Sequence, residues 1–200
     1  MSELWVDTQF NLTHNSVALT TDDTHTEYLP RGEFLFVGGD TAYHIADTAS
    51  LKARFQIPFN CAYTDLSNLG KSIDKRPIYG VPANHDYYDA LDGFNRQFCK
   101  PISEDTTFDP MENDEKDPQL GLMGFERTQT ASYVALELPF NWRLWGLDSQ
   151  DGKMDKRQQA FFVSTFHPEL VKKGELFNKN NKDKVIKELQ ENVPTKLIVT

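Results

Sequence analysis

Four polar residues behind two apolar runs carry the chemistry this chain could do. Asp40 closes the run Phe34-Leu35-Phe36-Val37-Gly38-Gly39, and Asn84, His85 and Asp86 close the run Ile78-Tyr79-Gly80-Val81-Pro82-Ala83. Carboxylate, amide oxygen and imidazole are all competent ligands for divalent metals. Short apolar runs of this kind form buried parallel strands. Side chains just past the carboxyl ends of such strands line the crevice in which open α/β sheets bind ligands. Gly38 and Gly39 allow the backbone to turn sharply and to approach whatever Asp40 holds. Asp40 also has a plainer role open to it, capping a following helix, and His85 without its neighbours would read as a satisfied structural histidine.

Placing these groups requires strands alternating with helices. Residues 4–6 form a short apolar run ending at Asp7, 10–19 have mixed spacing that could be helical, and 20–31 are polar and read as a loop into the strand 33–37. Leu51, Phe55, Phe59 and Ala62 recur at helical spacing over 49–66, with Pro58 expected to kink or divide the helix. Residues 89–98 read as a helix with an acidic first turn, whose apolar face is Leu91, Phe94 and Phe98. The alternation of 132–138, the turn at 139–141 and the return over 142–148 predict a hairpin feeding a second sheet. Asp148 ends that hairpin, with a role near the site or in structure alone. A helix over 156–166 with Phe161 and Phe162 inward, an amphipathic helix over 182–190 and a strand over 196–200 complete the chain. The fold class is α/β, in one domain spanning 1–200.

Gly39-Asp40-Thr41-Ala42-Tyr43 followed by Ala83-Asn84-His85-Asp86 resembles the calcineurin-like metallophosphoesterase superfamily, with its Gly-Asp and Gly-Asn-His-Asp/Glu motifs. The closest likeness is to bacterial members, through Gly38 to Tyr43, Asn84 to Leu91 with Phe94, and Leu144 to Asp148, and it covers most of 33–162. The resemblance implies a four-layer α/β/β/α sandwich and a dinuclear centre of Mn, Fe, Zn or Mg that hydrolyses a phosphate mono- or diester. It implies that Asp40 bridges the two metals, that Asn84 ligates the second, and that His85 assists the leaving oxygen. Asp86 would orient His85 by hydrogen bonding. Tyr43 matches a tyrosine that binds ferric iron in the purple acid phosphatase branch, with core packing as the alternative. His44 beside it is a bystander. A shared ion would bring Asp40 and Asn84 together at the ends of neighbouring strands.

Two departures stand out. Ala83 occupies a glycine position of the family, which would strain the backbone if the site needs a positive φ. The family's later histidine motifs have no counterpart after Pro168, so the chain is expected to be a piece of a longer phosphoesterase or a degenerate one. For the first ligand motif, Asp7 precedes Asp40 by the length of a strand, helix and strand and is preferred. Asp23-Thr24-His25 lies too close to Asp40 for a crossover helix. A catalytically incomplete phosphoesterase-like binding module is the alternative function. A nucleotide-binding domain is disfavoured because the chain has neither a Gly-x-Gly-x-x-Gly nor a Walker sequence.

The 200 residues suffice for one core, and a net charge of −9 opposes binding to nucleic-acid backbones, which need clustered Lys and Arg. Bound divalent cations would nonetheless admit a small phosphate-ester substrate. The chain has no apolar run long enough to span a membrane and no signal-peptide pattern, and its composition reads as cytoplasmic. Cys61 and Cys99 are expected to be buried free thiols.

Residues 103–118 carry dense acidic charge around a single Lys116 and read as a solvated, mobile loop, lacking the spacing of a calcium-binding loop. Replacing 103–118 by a short linker is expected to move the thermal midpoint by less than about 2 °C. A loss of several degrees in a melt followed by circular dichroism would mean that the loop packs or binds an ion.

Overall fold

A computed structural model describes residues 16–22, 25–30, 32–70, 74–100, 120–149, 152–191 and 196–200. Asp7, Asp23 and the acidic loop 103–118 lie outside the described residues. The architecture is α/β, with one two-stranded and two three-stranded sheets among the described residues.

The first pair corrects the sequence reading. Ser16–Asp22 (β1) and His25–Pro30 (β2) form an antiparallel hairpin, where a helix over 10–19 and a loop over 20–31 were expected. Val17, Thr20, Thr21, Thr26 and Tyr28 are β-branched or aromatic, and that preference outweighs the polar composition. His25 therefore opens the return strand of a hairpin, and does not follow a parallel strand as an Asp-x-His ligand motif would.

The second sheet carries both chemical runs. Leu35–Val37 (β3), Arg76–Gly80 (β4) and Phe125–Arg127 (β5) pair in parallel in the order β3-β4-β5, with Leu35 opposite Ile78 and Val37 opposite Gly80. Between β3 and β4 runs one long helical segment: α1 (Thr48–Leu51), a π-helical turn at Lys52–Gln56, and α2 (Ile57–Asn68). Asp47 caps its start, its carboxylate accepting from Ser50 N–H at 2.8 Å. Pro58 was expected to kink or divide this helix. Instead the turn before it widens, with the Ile57 N–H donating to the Lys52 carbonyl five residues back. A π turn absorbs the missing proline donor without ending the helix.

After β4, α3 spans Asp92–Phe98 and starts later than expected, because Ala90 and Leu91 take left-handed φ values of 61° and 66°. Phe94 and Phe98 are fully buried with Ile78 and Leu122, and Leu91, Leu35, Val37, Phe55, Phe59 and Phe125 pack around them. Truncating either phenylalanine in such a core typically costs about 3–5 kcal/mol. This cluster glues the helices to β3 and β4 and so fixes where the two strands end.

The third sheet bears out the predicted hairpin. Val134–Leu138 (β6) and Trp142–Gly146 (β7) are antiparallel, and Leu197–Val199 (β8) adds in parallel to β7. Helix α4 (Lys156–Ser164) covers it, with Phe162 2% exposed against Trp145 at 4.7 Å. Phe161 does not also point inward: it is 37% exposed and rests on the Tyr133 ring at 5.1 Å. Adjacent helix residues diverge by about 100°, so one of the pair must face the edge. The short helix α5 (Pro168–Lys172) and the amphipathic helix α6 (Lys182–Glu191) follow. The two three-stranded sheets approach at Gly146, where a Cβ would meet Val81 at 2.6 Å and Phe36 and Val134 at 3.0 Å. No helix among the described residues is long and apolar enough to cross a membrane.

Neither cysteine is in a disulfide, but only one is sheltered: Cys61 on α2 is exposed, and Cys99 is half-buried. The expectation that both are buried fails for Cys61 because it lies on the outer side of α2. Burial pushes the Cys99 thiol up to about 11, so its reactive thiolate is scarce at neutral pH. One equivalent of thiol is therefore expected to react with Ellman's reagent in the native protein, and to be lost in Cys61→Ser. The second should react only on unfolding. Two fast equivalents in the native state would contradict this packing.

Candidate functional site

Parallel pairing of β3 with β4 brings the loop 38–47 and the turn Asn84–Tyr87 to the same sheet end, and one buried carboxylate joins them. Asp86 is 0% exposed, and its Oδ2 accepts from the backbone N–H of Asp40 at 2.8 Å and of Ala83 at 2.9 Å. Desolvation pushes the Asp86 carboxyl above the ordinary aspartate range, against the pull of these backbone donors, and the Asp40 charge adds to the rise. Its Oδ1 is buried as well, and the Thr41 N–H is a third backbone donor pulling the carboxyl down.

The close approach explains the glycine. Gly39 has φ +91°, and a Cβ there would lie 2.6 Å from the Ala83 Cβ and 2.7 Å from its nitrogen. Ala83 itself is extended, at φ −119° and ψ −171°, so alanine there carries no left-handed strain. Asp40 follows at φ 49°, held in that conformation by its N–H bond to Asp86.

The Asp40 carboxylate is drawn into the same network. Its Oδ1 accepts from the His85 N–H at 3.1 Å and its Oδ2 from the Tyr43 hydroxyl at 3.0 Å. Tyr43 is 49% exposed and lies 4.5 Å from the His85 ring, so it is not a core aromatic. The hydrogen bond and charge of Asp40 raise the Tyr43 phenol, keeping it in the donor form this contact needs. The predicted orienting bond from Asp86 to His85 is not made. The His85 Nδ1 meets the backbone carbonyl of His44 instead, and the His85 carbonyl accepts from Ala46 N–H at 3.2 Å. A short Asp side chain in a turn reaches nearby backbone N–H groups more readily than the ring of its neighbour. The carbonyl can only accept, so Nδ1 carries a proton and Nε2 is the ring nitrogen left to serve as base or ligand. Asn84 is exposed, and its amide N donates to the Tyr88 hydroxyl at 3.4 Å.

Asp148 extends the network to the third sheet. Its carboxylate accepts from the Tyr87 and Ser132 hydroxyls, while its backbone N–H and carbonyl pair with the Gln158 side-chain amide at 2.9 and 2.8 Å. Gln129 does the same for β4, accepting from the Gly80 N–H at 2.8 Å and donating to its carbonyl at 2.9 Å. Tyr87, Gln129, Ser132, Gln158 and the His44 carbonyl were not singled out in this role from sequence. Their only sequence signal is a polar residue at a buried position, which emerges only once the packing is known.

Asp40, Asn84 and His85 offer a carboxylate oxygen, an amide oxygen and an imidazole nitrogen, a donor set that suits one divalent ion. They do not by themselves fit a pair. The one group of three His, Cys, Asp or Glu side chains among the described residues whose ligand atoms lie within 4.8 Å of one another is His167, Glu169 and Glu188, elsewhere in the chain. Asp7 lies outside the described residues and adds nothing to this test. No family model matches the chain, and neither the curated proteins nor the solved structures give a significant match.

Asp86→Ala would leave the Asp40 and Ala83 N–H groups without their acceptor. A loss of about 2–4 kcal/mol is expected in urea unfolding, with Asp86→Asn losing less because one acceptor oxygen remains. Equal stability of Asp86→Ala and the parent would show that the clamp holds nothing.

Proposed function

We propose that this chain is a metallophosphoesterase-like α/β domain whose strand-end cluster of Asp40, Asn84 and His85 holds a divalent metal (Mn, Fe, Zn or Mg) and, through it, a phosphate mono- or diester. The observation that carries this reading is the meeting of Asp40 and His85 past the carboxyl ends of adjacent parallel strands, joined by the bond from His85 N–H to Asp40 Oδ1. The approach of the two three-stranded sheets at Gly146, with helices packed against each, supports the two inner layers of a four-layer sandwich. A metal at such a site polarises the phosphoryl oxygens and lowers the pKa of bound water. Asp40 supplies the anionic ligand and Asn84 a neutral one. His85 has its ring fixed by the His44 carbonyl and turns Nε2 to proton transfer or to ligation. A net charge of −9 opposes nucleic acid, a bound dication would still admit a small anionic substrate, and a chain with only two cysteines fits a reducing, cytoplasmic setting.

A second reading is a binding module without turnover. It is favoured by the Asp40 carboxylate, both of whose oxygens already accept hydrogen bonds. Both readings require metal-dependent recognition of phosphate at Asp40, and they differ in hydrolysis. With Mn²⁺ present, the 200-residue chain is expected to bind an aryl phosphate and hydrolyse it slowly, and Asp40→Asn to weaken the metal by at least about tenfold and to remove turnover. Binding without turnover selects the module. Turnover or binding that is the same in Asp40→Asn, or that needs no metal, defeats both.

A further inference from the structure

His167 sits at the junction of α4 and α5, 6% exposed, with its backbone N–H tied to the Val163 carbonyl at 2.8 Å. Its Nδ1 lies 3.0 Å from the Glu169 carboxylate on the first turn of α5, and its Nε2 is buried with no hydrogen-bond partner among the described residues. From α6, Glu188 joins them, so that one ligand atom from each of the three residues falls within 4.8 Å of the others. Val185, three residues before Glu188 and therefore on the same face of α6, is only 5% exposed, which fixes that face inward.

A simple His167–Glu169 pair explains part of this arrangement. It does not account for a second carboxylate brought to the same imidazole. Lys173 already draws on Glu169 from one side, and a dication among the three side chains would serve both carboxylates at once. The geometry is compatible. Ligand atoms about 2.1 Å from an ion and at right angles to each other lie about 3.0 Å apart, and opposite ones about 4.2 Å. The observed spacing of 3.0 Å between His167 and Glu169, with the whole group inside 4.8 Å, needs little adjustment.

We propose that His167, Glu169 and Glu188 form a mononuclear site for a first-row transition-metal dication, of the Zn²⁺ or Mn²⁺ class, that pins α6 against α5. One nitrogen and two carboxylate oxygens favour such ions over Ca²⁺ and Mg²⁺, which prefer all-oxygen shells. Water completes the coordination. The site shares no residue with the strand-end cluster and stands whether or not that cluster binds metal.

The test uses the 200-residue chain carrying Asp40→Asn, so that the strand-end cluster contributes least. Co²⁺ is titrated into EDTA-stripped protein and followed by visible absorption and calorimetry, with Zn²⁺ as competitor. One equivalent is expected to bind with a d–d band, and His167→Gln and Glu188→Gln should each weaken it at least about tenfold. Glu188 is partly exposed, so Glu188→Gln should keep the circular dichroism and the EDTA melting point of its parent while losing the stabilisation that Zn²⁺ gives. In the chain with Asp40 intact, Glu188→Gln should likewise remove one Co²⁺ equivalent. No Co²⁺ binding in the Asp40→Asn chain, or affinity unchanged by Glu188→Gln, would overturn the proposal and leave a simple His167–Glu169 pair.

Discussion

Asp86 holds the candidate site together by giving two separate loops one shared acceptor. The N–H groups of Asp40 and Ala83 converge on a single carboxylate oxygen, and that oxygen is inaccessible to solvent. Buried carboxylates are costly unless hydrogen-bonded, and buried amide donors are costly unless accepted, so each side secures the other. The clamp sets the left-handed backbone at Asp40, brings Gly39 against Ala83, and lets the Asp40 carboxylate cap the His85 N–H in return. Without it the two motifs would be neighbours along a sheet edge with no fixed relation between their side chains.

The rest of the fold serves to keep those loops from drifting. The Phe94–Phe98 cluster fixes the ends of β3 and β4 from one side of the sheet. From the other direction, Tyr87 reaches Asp148 two residues past the end of β7, and Gln158 on α4 pairs with both backbone groups of Asp148. The turn that bears Asn84 and His85 is thus bonded to both three-stranded sheets. A site built this way depends on long-range packing more than on the local turn, which holds only four residues in a 3₁₀ helix.

Much of this was legible in the residues. Apolar runs ending in Gly-Gly-Asp and Ala-Asn-His-Asp marked parallel strands with polar ends, because buried strands must be apolar and their ends must turn. The β6–β7 hairpin showed itself by alternation with a proline at the turn. What stayed hidden was direction. Nothing in His85-Asp86 says that the aspartate turns to backbone amides while the histidine seeks the carbonyl of His44, because that choice depends on how two distant loops pack. The β1–β2 hairpin was missed since polar threonines look like loop in composition while favouring strand in conformation. Helix faces with adjacent aromatics, such as Phe161 and Phe162, similarly left open which ring goes inward until Trp145 was seen beside one of them.

On the proposed reading, Asp40 brings a metal and a phosphate to the same place. Its most direct test is the ³¹P line width of inorganic phosphate with Mn²⁺ and the chain carrying Glu188→Gln, which removes the separate α5–α6 group from play. Strong paramagnetic broadening beyond that of Mn²⁺ alone is expected if the phosphate oxygens sit on a protein-held ion, with a return to the Mn²⁺-only width on adding Asp40→Asn. Broadening that persists unchanged in Asp40→Asn, or that never exceeds Mn²⁺ in buffer, would contradict it.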